Sequence, residues 1–252
     1  MDPSLTGSQP FFAPLSRAVG RLSCYNCTMA EEDARAGSAG GHASCTMKGL
    51  VNHIRAIDVL ETLPYADVGR LASIGHSLGG HNSIFAAVFD PRIKVVVASC
   101  GWTPWAYYAT AQRPLNTTWA LPKYMPRIKT AFGGDPVRIP VDFYELVAAI
   151  APRPFFSNSP VTDFNFNVTG VWAAARPISA VWARYAAANL NATDLGDRFT
   201  IEFPQGGCAI HTYAGAGQPE CGHDFPDGTR LAAYAFIKRH LSVPPDAPFP
   251  AI

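Results

Sequence analysis

Charge is scarce in this chain of 252 residues: Asp, Glu, Lys and Arg together make up 15%, and the formal net charge is +1. No basic field is available to hold a nucleic acid, and there is no acidic tail. No apolar run reaches the roughly 18 residues that a membrane span needs. The start, Met1-Asp-Pro-Ser-Leu-Thr-Gly, has neither a basic leader nor a clear apolar h-region. It does not read as a signal peptide, which favours the cytoplasm. The N-x-[ST] sequons at Asn26, Asn116, Asn167 and Asn191 would matter only on a secretory route, so the compartment stays open. Cysteine is also sparse, with six residues. Cys24 and Cys27 make one C-x-x-C, but no second pair follows at zinc-finger spacing. Incidental or structural thiols are the leading reading, with a Cys24/Cys27/Cys45 metal site or disulfide as the alternative.

Apolar residues are plentiful at 48%, enough to bury the core of a single α/β domain. Residues 1–46 are rich in Pro, Gly, Ser and Ala with no sustained period, and are expected to be poorly ordered. From Met47 the pattern tightens. Leu50, Ile54, Ile57, Leu60 and Leu63 recur at helical spacing, and Pro64 stops that helix. Strands are expected at 69–75, 93–100, 153–157 and 198–203. Helices are expected at 78–89, 141–150, 172–190 (with a break at Pro177) and 229–241. Ile93–Cys100 is a continuous β-branched run, as expected for a parallel strand covered on both faces. Alternating strands and helices predict a doubly wound, mostly parallel sheet. The expected organisation is a catalytic domain over 47–252 with an irregular, aromatic-rich cap insertion at 101–140.

The most telling motif is Gly75-His76-Ser77-Leu78-Gly79, a G-x-S-x-G at the junction of an apolar strand and a helix. A sharp strand-to-helix turn wants glycine at Gly75 and Gly79. It pushes Ser77 out at the carboxyl edge of the sheet, beside the free N–H groups of the helix. A serine hydroxyl attacks only when a base takes its proton and a third group orients that base. In chain order the partners should be an acid and then a histidine. Asp163 lies in the loop after the third strand, and His223, behind Gly222, lies in the loop before the last helix. Asp142, Asp194 and Asp197 are rival acids, though Asp142 reads better as a helix N-cap. His211 is the rival base. The bland reading of Asp163 is an Asx-turn. The Leu78 N–H supplies one oxyanion donor, and Gly40-Gly41-His42 is the candidate for the other. His76 is expected to line the pocket. Trp102, Trp105 and Tyr108 are candidate pocket walls, with ordinary packing as the equal alternative.

Three runs, Gly75–Ser83 with Phe89–Lys94, Asp142–Phe166, and Cys221–Pro226, resemble the α/β-hydrolase superfamily, in particular its dienelactone-hydrolase-like and acetyl-xylan-esterase-like members. The resemblance implies Ser77 as nucleophile, Asp163 as acid and His223 as base in an ester or lactone hydrolase. It implies neither metal nor cofactor, and a small-molecule ester as the substrate. Such proteins carry further strands before the nucleophile, so the chain reads as an amino-terminally shortened member. The loop Pro204–Glu220 reads as inserted ahead of the histidine. An open sheet edge would need a partner, a homo-oligomer being one option. A prolyl-oligopeptidase-like peptidase or amidase, or an impaired hydrolase acting as a scaffold, are the competing readings.

Overall fold

The computed structural model describes residues 42–108, 114–121, 124–189, 197–204, 208–209 and 220–246. The expected disordered segment at 1–46 therefore falls mostly outside the described residues, as do His211 and Asp194.

Helix α1 (Cys45–Glu61) begins where Ser44 accepts a hydrogen bond from the Met47 N–H at 3.0 Å, one of the otherwise orphaned amides of the first turn. It buries Leu50, Ile57 and Leu60. Strand β1 (Leu71–His76) leads through Ser77 into α2 (Leu78–Phe89), and β2 (Ile93–Ser99) follows. Short helices α3 (Trp105–Tyr108) and α4 (Arg127–Thr130) lie in the aromatic-rich stretch. Next come α5 (Phe143–Ala148), β3 (Phe155–Asn158), α6 (Val168–Asn189) and β4 (Phe199–Glu202). A two-residue ladder, β5 (Cys208–Ala209) with β6 (Glu220–Cys221), precedes the last helix, α7 (Asp227–His240).

The main sheet has the order β1-β2-β3-β4, and every pairing in it is parallel. This bears out the expected doubly wound architecture. The side-chain period of two splits β2 between two cores. Val96 and Ala98 join Ile57, Ile84, Phe143, Phe155 and Ile178 on one face. Val95 and Val97 meet Phe156, Phe236 and Ile237 of α7 on the other. Only Lys94 of β2 is exposed, and it bonds the Pro91 carbonyl at 3.2 Å.

Two arginines tie the layers together. Arg92 reaches Asp90 of its own turn and Asp58 and Glu61 of α1, and this contact holds the Asp90 carboxyl below its usual range. The half-buried guanidinium of Arg153 donates to the carbonyls of Ile93 at 2.8 Å and Ala87 at 2.7 Å, closing the end of α2 onto the start of β2.

Three expectations change. Helix α6 runs from Val168 through Pro177 to Asn189, so Pro177 does not break it. A proline removes one N–H bond, and tertiary packing of Val171, Ile178 and Trp182 outweighs that loss. Gly79 is not sterically required, because a Cβ there would meet nothing within 4 Å. The close approach falls on Gly75, whose Cβ would sit 2.2 Å from the Gly79 carbonyl carbon, and on Gly80, whose Cβ would sit 2.8 Å from the Ser99 carbonyl oxygen. The aromatics expected to wall a pocket are also spent differently. Trp102 and Trp105 are buried, donating their indole N–H groups to Ser157 Oγ and to the Val141 carbonyl, both at 2.9 Å. Tyr108 is buried too, with its hydroxyl 3.2 Å from Asn165 Oδ1. Trp105 packs against Trp119 and Phe143, Tyr108 against Trp119, and Trp102 against Phe155.

Candidate active site

Ser77 sits at φ 56°, ψ −120°, a backbone conformation that costs a non-glycine residue on the order of 1–3 kcal/mol. The surrounding contacts over-determine it: the Ser77 N–H bonds the Ser99 carbonyl at 2.8 Å, and its own carbonyl accepts from His81 N at 3.1 Å. The hydroxyl is thereby turned outward at the amino terminus of α2. The Ser77 side chain does not cap that terminus, and the Leu78 N–H, at the first helical position, has no intrahelical acceptor.

The two partners arrive from later loops. His223 Nε2 lies 2.8 Å from Ser77 Oγ. Its Nδ1 lies 3.2 Å and 3.3 Å from the two carboxylate oxygens of Asp163. Asp163 Oδ1 also accepts from the backbone N–H groups of Asn165 at 2.8 Å and Phe166 at 3.1 Å. The Asx-turn and the partner of histidine are thus one arrangement, in which the turn locks the carboxylate that faces the imidazole. Gly222 makes the approach possible. It has φ +86°, and a Cβ there would lie 2.3 Å from the Thr162 carbonyl carbon. The residues before His223 and before Asp163 are therefore in direct backbone contact. The imidazole is flanked by Phe166, stacked at 6.0 Å, by the edge of Phe164 at 5.5 Å, and by the tilted ring of His76 at 4.9 Å.

The rivals are accounted for where they are described. Asp142 caps α5 in a capping box with Glu145 and also receives the Trp105 N–H, and its burial raises its carboxyl above the usual range. Asp197 pairs with Arg239 at 2.9 Å. Gly40 and Gly41 lie outside the described residues. His81, in the first turn of α2, is fully buried between Phe85 and Trp119 with neither ring nitrogen bonded, and burial lowers its pKa to about 3.

The sequence reading missed a polar layer beneath the triad. Asn158, wholly buried at the end of β3, donates at 2.8 Å both to Ser99 Oγ and to the Asp224 carbonyl. Ser99 Oγ in turn meets His76 Nδ1 at 2.9 Å. Cys100, next along from Ser99, has φ 48°, is buried, and donates to the Asp224 carbonyl at 3.2 Å. The adjacent carboxyl ends of β2 and β3 thus hold the loop that carries His223. Ser99 and Asn158 end their strands and Cys100 follows directly, and each acts on a partner far away in sequence.

A parallel sheet with a strained serine at a strand-to-helix turn, faced by histidine and aspartate from later loops, defines an α/β-hydrolase fold. The chain belongs to the family described as glucuronyl esterase, fungi, whose model matches residues 51–186. The superfamily expectation is met, and the subgroup reported is the glucuronyl esterases. The chain is similar to carbohydrate esterase MZ0003 from an unknown prokaryotic organism, with 27% identity over 142 residues, 54% of this chain and 32% of that protein. Two solved structures share its fold. One is a promiscuous CE15 esterase from a marine bacterial metagenome, with TM-score 0.57 and 20% identity over 78% of this chain and 48% of that one. The other is the glucuronoyl esterase catalytic domain of Hypocrea jecorina, with TM-score 0.57 and 19% identity over 80% and 53%. The chain therefore spans about half or less of the length of these relatives. Among the described residues no helix is long and apolar enough to cross a membrane.

Proposed function

We propose that the chain carries the serine-esterase centre of a carbohydrate esterase and hydrolyses a carboxylic ester borne by a uronic acid sugar. The observation that supports this best is the hydrogen-bonded series from Ser77 Oγ through His223 to Asp163, with 2.8 Å on the serine side and 3.2 Å on the acid side. The family description and the names of the relatives supply the sugar-acid substrate.

In this reading Asp163 holds His223 in the tautomer with the proton on Nδ1, leaving the Nε2 lone pair for the Ser77 proton. Ser77 attacks the ester carbonyl, and charge develops on its oxygen near the Leu78 N–H. A single donor of this type is typically worth about 10²–10³ in kcat. His223 then returns the proton to the leaving alcohol. Water, deprotonated by the same imidazole, releases the sugar acid from Ser77. Phe164, which is 47% exposed, and the exposed His76 are the groups a substrate meets first beside the imidazole.

The test is turnover by the purified chain of alkyl and benzyl esters of glucuronic acid, set against acetylated sugars and amide analogues. Hydrolysis of the glucuronate esters, abolished in Ser77→Ala, is expected. Preference for the acetylated sugars or the amides would overturn the substrate assignment.

A further inference from the structure

We propose that His76, Cys100 and His223 form a binding site for a zinc-like divalent cation, and that filling it switches the serine nucleophile off. The second half rests on reading His223 as the base of Ser77; the first half does not.

The three side chains come from three places in the chain. His76 ends β1, Cys100 follows β2, and His223 precedes α7. Parallel pairing sets His76 opposite Ser99, the neighbour of Cys100, and the Asn158 contact to the Asp224 carbonyl draws His223 onto the same ends. One donor atom from each lies within 4.8 Å of the others. Tetrahedral zinc, with bonds of about 2.0–2.1 Å to nitrogen and about 2.3 Å to sulfur, wants its donors roughly 3.5 Å apart. Closing the site therefore asks for about an ångström per pair, which small side-chain rotations supply. His76 is the least buried of the three and belongs to neither hydrophobic core.

The donor chemistry selects the metal. Two imidazoles and a thiolate suit borderline-soft zinc and its cobalt substitute rather than magnesium or calcium, which want oxygen. The outer partners are also in place. Metal-bound imidazoles characteristically donate their second ring N–H to a neighbour that fixes their orientation. Here His76 Nδ1 faces Ser99 Oγ at 2.9 Å, and His223 Nδ1 faces the Asp163 carboxylate at 3.2 Å. A cation that leaves both contacts in place binds each ring through Nε2. Three protein ligands leave a fourth position for water or for Ser77 Oγ.

In the metal-free protein the Cys100 thiol donates to the Asp224 carbonyl at 3.2 Å. When the metal–sulfur bond forms, the thiol proton leaves to solvent, with no change in oxidation state. A cation on His223 Nε2 takes the lone pair that would receive the Ser77 proton. Occupancy therefore inhibits.

The test titrates Co²⁺ and Zn²⁺ into the purified chain and into His76→Ala, Cys100→Ala and Cys100→Ser. It reads the thiolate-to-cobalt charge-transfer band, bound zinc per chain, and labelling of Ser77 by a fluorophosphonate. One metal per chain is expected. The charge-transfer band should be lost in both Cys100 variants, and affinity should fall at least about tenfold in His76→Ala. Zinc should block labelling, and a chelator should restore it. A folded wild-type chain without the charge-transfer band, or affinities unchanged by the substitutions, would overturn the site. Full labelling of the zinc-loaded chain would overturn the inhibition. Failure of the esterase reading would show separately, as a metal-free chain that turns over no ester while its cobalt band is intact.

Discussion

Substituting Gly222 by alanine tests whether the triad depends on one backbone contact. The new Cβ would begin 2.3 Å from the Thr162 carbonyl carbon and 2.4 Å from its oxygen. Carbon atoms settle at about 3.5–4.0 Å, so the two segments must part by more than about 1 Å. The φ of +86° adds strain of about 1–2 kcal/mol for any residue with a Cβ. Gly222 and Thr162 immediately precede His223 and Asp163, so the displacement acts on the contact between imidazole and carboxylate. A misplacement of about 1 Å at a catalytic centre costs on the order of 10²-fold in rate. Gly222→Ala should therefore lower kcat/KM for ester hydrolysis by about 10²-fold, through kcat. Its melting temperature should fall only modestly, because neither Gly222 nor Thr162 belongs to either hydrophobic core. Steady-state kinetics and a thermal melt on one preparation decide it. A folded variant with kcat within twofold of wild type would refute the reasoning.

Asp163→Asn keeps an oxygen for the Asn165 and Phe166 amides, so the fold should persist while kcat falls by about 10⁴-fold through loss of the correct tautomer; initial rates and circular dichroism check both. Phe236→Ala, which removes a ring buried between α7 and β3, should cost about 3–5 kcal/mol in urea unfolding. His81 sets a pH dependence of stability. Unfolded, it binds a proton below about 6.5, whereas burial holds it neutral in the folded chain down to about 3. The unfolded state therefore gains protons first as pH falls, and stability drops through that window with a slope of up to about 1.4 kcal/mol per unit. His53, lowered to about 4 by burial, adds to this in the same sense. His81→Phe should flatten the profile of urea midpoint against pH, and an unchanged profile would contradict the assignment.

The elbow and the order of its partners were legible because they are local or topological. Gly75 to Gly79 lies within one strand-to-helix turn, and Asp163 and His223 each follow a strand that its own β-branched or aromatic run announces. The Asp142 cap was legible for the same reason, its Glu145 partner lying three residues on. What escaped was contact between strands. Ser99, Cys100 and Asn158 meet because β2 and β3 pair with Ser99 opposite Asn158, a register that no single segment encodes. Trp102 and Trp105 were equally consistent with a pocket wall or with packing, and only the assembled core, which sets Trp102 against Phe155 and Trp105 against Phe143 and Trp119, decides for packing. Pro177 misled because local propensity argues for a break, while the buried face of α6 continues on both sides of it.

The central claim is that Ser77 is a nucleophile activated by His223. It is tested most directly by intact-mass measurement of fluorophosphonate labelling on the wild-type chain, Ser77→Ala and His223→Ala. One adduct per wild-type chain and none on either variant is the predicted result. A folded wild-type chain that takes up no label, or a Ser77→Ala variant that labels as well as wild type, would contradict it.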